Sequence, residues 1–113
     1  MSKKITDKTF VHHVFFYLKD PTSEADRTKF LEGVGLLSTI TNIRQFHLGL
    51  PAATDRAVIV RDYTYSWLCF FDSAEEEEIY QFHPIHDVFR NNYGHLWEKV
   101  VIYDSTTSTP GIQ

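Results

Sequence analysis

Phe10-Val11-His12-His13-Val14-Phe15-Phe16-Tyr17-Leu18 is the stretch that decides the fold. Its valines and phenylalanines favour a strand, and side chains alternate between the two faces of a strand. Val14, Phe16 and Leu18 therefore share one face with His12, while Val11, Phe15 and Tyr17 share the other with His13. Both faces are apolar. The pattern recurs where Trp67, Cys69 and Phe71 oppose Leu68 and Phe70, and where Val100 and Ile102 oppose Val101 and Tyr103. Helices packed on one side of such a sheet leave the other as an apolar patch larger than a soluble monomer carries. A second copy of the chain is the expected cover, giving a homodimer packed sheet to sheet.

Working outward, Asp20-Pro21-Thr22 ends this strand, and Ser23 with Asp26 starts a helix expected over residues 24–38. Phe30, Leu31, Val34 and Leu37 recur along one face of that helix. A second strand is expected over 43–48 and a third, aromatic one over 63–71, with a polar loop between them. Ser73 and Glu76 have capping-box spacing and open a second helix, whose acidic run from Glu75 to Glu78 suits the positive end of the helix dipole. Pro84 breaks that helix and begins a further helical segment reaching about Asn92. The last strand is expected over 96–103. The order β-α-β-β-α-β predicts a ferredoxin-like α+β domain, a four-stranded antiparallel sheet with its helices on one face. Residues 1–9 read as a flexible tail and 105–113 as a polar one.

A chain of 113 residues fits one domain. Eleven basic against fifteen acidic residues leave a net charge of −4, which argues against nucleic acid or an anionic membrane as partner. No stretch has the length of a membrane span. One cysteine, Cys69, rules out an internal disulfide and a thiolate metal cluster, and points to the reducing cytoplasm.

The chemistry concentrates in Tyr80-Gln81-Phe82-His83-Pro84-Ile85-His86. Imidazole titrates near neutral pH and a phenol can donate to a developing oxyanion, so the segment has the parts of an acid/base site. Two readings stand for His86: a proton carrier inside an aromatic pocket, or a core histidine bonded to a backbone carbonyl. Tyr80 either donates to a substrate oxygen or packs its ring and finds a structural partner for its hydroxyl. His83, just before the proline, reads as a cap on the broken helix. His12 and His13 point to opposite faces, so only His12 can join His86, and His13 belongs to the dimer side. No spacing matches a zinc site, no carboxylate is evident beside the histidines, and no metal or cofactor is expected. Cys69 reads as a small buried hydrophobe.

The opening strand, the block from Tyr80 to His86 continuing to Phe89, and the closing Leu96-Trp97-Glu98-Lys99-Val100-Val101-Ile102-Tyr103-Asp104 resemble the stress-responsive dimeric α/β-barrel (Dabb) family over residues 10–104. That resemblance implies a ferredoxin-like protomer that dimerises into a barrel. In the family's plant polyketide-cyclase branch, a tyrosine and the second histidine of the block drive an aldol cyclisation. By position these roles fall on Tyr80 and His86, with the first-strand histidine at His12, and the implied pocket walls are Phe30, Val34, Trp67, Phe89, Trp97 and Val100. Trp67 and Phe46 replace smaller side chains of that branch and Gly35 a larger one, so cyclisation itself is not carried across.

The expectation is a homodimer binding a small apolar or carbonyl-containing molecule in a protomer pocket, with cofactor-free His/Tyr acid/base chemistry. The alternatives are a non-catalytic stress-associated protein and, by fold analogy alone, a cofactor-independent monooxygenase.

Overall fold

The computed structural model describes residues 8–108. Its elements are β1 (Phe10–Leu18), α1 (Glu24–Leu37), β2 (Gln45–Gly49), β3 (Tyr65–Phe71), α2 (Ala74–Gln81), α3 (Pro84–Tyr93), a 3-10 turn (Gly94–Leu96) and β4 (Trp97–Thr106). The four strands form one antiparallel sheet in the order β2-β3-β1-β4, the ferredoxin-like arrangement. Among the described residues, no helix is long and apolar enough to cross a membrane.

Local sequence explains where each α-helix starts. The Ser23 hydroxyl accepts from the Asp26 N–H at the start of α1, and Ser73 accepts from the Glu76 N–H at the start of α2. His83 caps α3 through its Nδ1, which accepts from the Ile85 N–H at 3.1 Å, and Pro84 fills the first helical position, where no N–H is needed. Gly33 lets α1 and α3 approach closely. A methyl group placed on it would lie 2.7 Å from the Tyr93 ring.

Strand alternation sorts the residues by depth. His12, Val14, Phe16 and Leu18 are buried beneath the helices with Phe30, Val34, Leu37, Trp67, Phe71 and Phe89. The opposite face carries a half-buried aromatic group in which Phe15 meets His13, Tyr63 and Tyr103 at ring distances of 4.3, 4.9 and 6.1 Å. No helix covers Tyr103, which is 66% exposed.

Several boundaries move from their expected places. β2 and β3 each begin two residues later than expected, at Gln45 and Tyr65. β4 extends past Tyr103 to Thr106, because Ser105 and Thr106 find partners in Val11 and Phe10. Backbone and side-chain hydrogen bonds between Thr9 and Thr107 continue the ladder beyond the expected end of the strand. Residues 1–7 and 109–113 lie outside the described residues.

Candidate functional site

Between sheet and helices lies a cavity of about 250 Å³, with apolar walls from Val14, Phe16, Leu37, Trp67, Phe89, Trp97, Val100 and Ile102. His12, Tyr80, Gln81, His86 and Arg90 supply its polar positions. Each comes from a different local device. His12 sits at the centre of the sheet on β1, while Tyr80 and Gln81 end α2. His86 and Arg90 lie one turn apart on α3, re-aimed by the Pro84 break.

The Tyr80 ring stands between the two histidines. Its centroid is 5.9 Å from that of His12 and 4.8 Å from that of His86, both edge to face. The Tyr80 oxygen accepts from the Trp67 indole N–H at 3.0 Å. Burial pushes the phenol far above its ordinary pKa, so it stays protonated and able to donate.

His86 is buried, and its Nδ1 has no hydrogen-bond partner among the described residues. Burial is the main cause that lowers its pKa to about 4, and the Arg90 guanidinium adds to it. The ring is therefore neutral at physiological pH.

His12, only 2% exposed, meets Asp104 on β4 at 2.6 Å through Nδ1, with Glu77 further off at 3.8 Å. Its Nε2 faces the Gln81 amide nitrogen at 3.3 Å. Arg90 in turn donates from Nη2 to the Gln81 side-chain and main-chain oxygens, both at 2.9 Å, and from Nη1 to Asp87 at 3.0 Å.

Of the residues expected at the site, His12, Tyr80, His86, Trp67, Phe89, Trp97 and Val100 line the cavity. Phe30 and Val34 do not. Phe30 touches the rings of Phe16, Phe89 and Trp97, which themselves form the wall, and so stands one layer behind them, stacked on Tyr65 at 4.8 Å. Leu37, one turn beyond Val34, takes the place on the wall. His13 lies on the opposite face with its Nε2 2.7 Å from the Ser66 hydroxyl, its pKa lowered by burial and then by His12. Among the described residues no group of three or more His, Cys, Asp and Glu side chains is arranged to hold a metal ion.

Sequence reasoning found no carboxylate beside the histidines, yet Asp104 is one. Val100, Ile102 and Asp104 share a strand face, and pairing β1 with β4 would have brought Asp104 opposite His12. Gln81 and Arg90 gave no comparable signal.

Residues 10–107 match the model of the stress-responsive A/B barrel domain, or Dabb, family. The chain belongs to that family. The Dabb domain is 28% identical over 96 residues to olivetolic acid cyclase from Cannabis sativa, covering 84% of this chain and 93% of the cyclase. Its fold is similar to that of a hydroxynitrile lyase from Passiflora edulis, at 21% identity and a TM-score of 0.71 over 89% of this chain and 94% of the lyase. It is also similar to a dimeric ferredoxin-like protein of unknown function from Thermobifida fusca, at 15% identity and a TM-score of 0.69, covering 88% and 91% of the two chains. At these identities the two solved structures speak for the fold of the Dabb domain alone.

Proposed function

We propose that this Dabb protein acts as a cytoplasmic homodimer that binds a small, largely apolar, carbonyl-containing molecule in each protomer cavity and moves a proton on it. The observation that carries this reading is His86. A histidine kept for packing would bond its ring to a neighbouring group, whereas this one is neutral with its Nδ1 unpaired in the wall of an apolar cavity.

In the reaction, His86 takes a proton from the carbon alpha to the carbonyl, and the electron pair of the C–H bond moves onto the oxygen. Tyr80 donates its hydroxyl proton in a hydrogen bond to that enolate, and His86 returns the proton to carbon or to the oxygen. Protein groups alone supply this chemistry. The cyclase relative supports an enzymatic role, while Trp67 on the cavity wall favours a different pocket shape from the cyclase branch. The half-buried aromatic face of the sheet and the dimeric relative support the homodimer. The single buried thiol of Cys69 suits a reducing compartment.

Acetophenone in deuterated buffer tests the chemistry. The wild type should speed exchange of its methyl protons and His86→Ala should abolish that effect; no acceleration by the wild type would refute proton transfer. A second reading, a non-catalytic dimer, is favoured by the Trp67–Tyr80 bond, which gives the phenol a structural task.

A further inference from the structure

We propose that Arg90 and Gln81 are positioning residues that lock His12 in one tautomer, and that the second amide N–H of Gln81 selects ligands bearing a carbonyl-type acceptor. This inference rests on the proposed function only in taking the cavity as the ligand site.

The lock follows from donor and acceptor inventory. A guanidinium has donors and no acceptor, so the Gln81 side-chain atom 2.9 Å from Arg90 Nη2 is the carbonyl oxygen. The same nitrogen holds the Gln81 main-chain carbonyl, one of the unpaired acceptors at the end of α2, and thereby fixes both ends of the residue. The Gln81 amino group then faces His12 Nε2 at 3.3 Å. An amide nitrogen cannot accept, so Nε2 offers its lone pair and the ring proton sits on Nδ1, donated to Asp104 at 2.6 Å. The chain of bonds runs from α3 through α2 and β1 to β4.

Two consequences distinguish His12 from His86. The lone pair of His12 is already occupied, so it serves as an anchor and leaves His86 as the free base. One amide N–H of Gln81 is spent on His12, and the other belongs to a side chain that lines the cavity. The Tyr80 hydroxyl is a second polar group of a cavity-lining residue, and donors on such a wall are the kind that stabilise a developing oxyanion.

Nitrogen–proton correlation spectra of the imidazoles test the lock with no ligand present. Wild-type His12 should be protonated at Nδ1 and bare at Nε2. Gln81→Glu, whose carboxylate only accepts, should place a proton on Nε2, and Arg90→Met, which frees the amide to turn over, should mix the tautomers. A wild-type spectrum with the proton on Nε2, or one that Gln81→Glu leaves unchanged, overturns the lock.

Titration of acetophenone against α-methylstyrene, which carries a methylene in place of the carbonyl oxygen, tests the donor. The wild type should favour acetophenone several-fold and Gln81→Leu should reduce the preference to what the Tyr80 hydroxyl alone supplies. Equal binding of the two by the wild type, binding of neither, or a preference unchanged in the variant overturns this part. Acetophenone bound through Gln81 but not exchanged would sink the proposed proton transfer while leaving the selector in place.

Discussion

Tyr80 and His86 meet edge to face, with ring centroids 4.8 Å apart and planes inclined at 78°, across the break between α2 and α3. In one unbroken helix residues six positions apart would point about 120° away from each other around the axis. His83 and Pro84 end one helix and restart the next, which turns both rings toward the same cavity.

Acid should weaken the fold through His86. Its pKa is lowered from 6.5 to about 4, so between those values the unfolded chain binds the extra proton and the native state does not. Stability is complete above about pH 6.5 and falls as the pH drops toward 4, by roughly 2 kcal/mol after allowing for solvent at the ring. His86→Leu removes this term and an unpaired polar group, so melting curves at pH 5 should place the variant above wild type. A lower melting temperature for the variant would assign the ring a structural bond.

Tyr80→Phe should cost stability as well as any ligand response. It strips the fully buried Trp67 of the oxygen that accepts its N–H, a loss of about 1–3 kcal/mol. Adding Trp67→Phe should cost less than the two single changes summed, because the orphaned donor is gone. Denaturant midpoints that add without coupling would contradict a shared bond.

Two glycines of α1 should respond in opposite ways to alanine. Gly33→Ala drives a methyl into Tyr93 at 2.7 Å and should destabilise by about 1–3 kcal/mol. At Gly35 a methyl meets nothing within 4 Å, so Gly35→Ala should stabilise by roughly 0.5–1 kcal/mol. Thermal melts of the pair read both signs at once, and stabilisation at Gly33 would mean that α1 and α3 are not so close.

Phe15→Asp should split the dimer. Phe15 lies at the centre of the outer aromatic group with His13, Tyr63 and Tyr103, and a charge there would be buried unpaired by a second subunit. Sedimentation should give a dimer for wild type and a monomer for the variant. A monomeric wild type at micromolar concentration would leave the outer face to another cover.

Strand alternation made the fold legible, because period two is a local property that each strand carries alone. The same parity identified His12 as the inward histidine and predicted a crowded outer face. Depth is different. Phe30 and Val34 show the correct helix face, but only the packed rings of Phe16, Phe89 and Trp97 reveal that Phe30 stands behind the wall. Asp104 escaped notice because its partner lies 92 positions away, and strand register between β1 and β4 is set by the assembled sheet. Gln81 and Arg90 were invisible for a related reason: each is an ordinary polar residue on a helix until Arg90 reaches across the break to the end of α2.

The wall of the cavity also has an optical consequence. The chain contains two tryptophans, and both Trp67 and Trp97 border the cavity. Every indole in the molecule is thus within reach of whatever enters. Trp67 is hydrogen-bonded to the phenol that would meet the guest, and Trp97 is stacked on Phe89 at 5.2 Å. Intrinsic fluorescence, its wavelength and its quenching therefore form an unlabelled gauge of occupancy, able to screen compounds before any reaction is known.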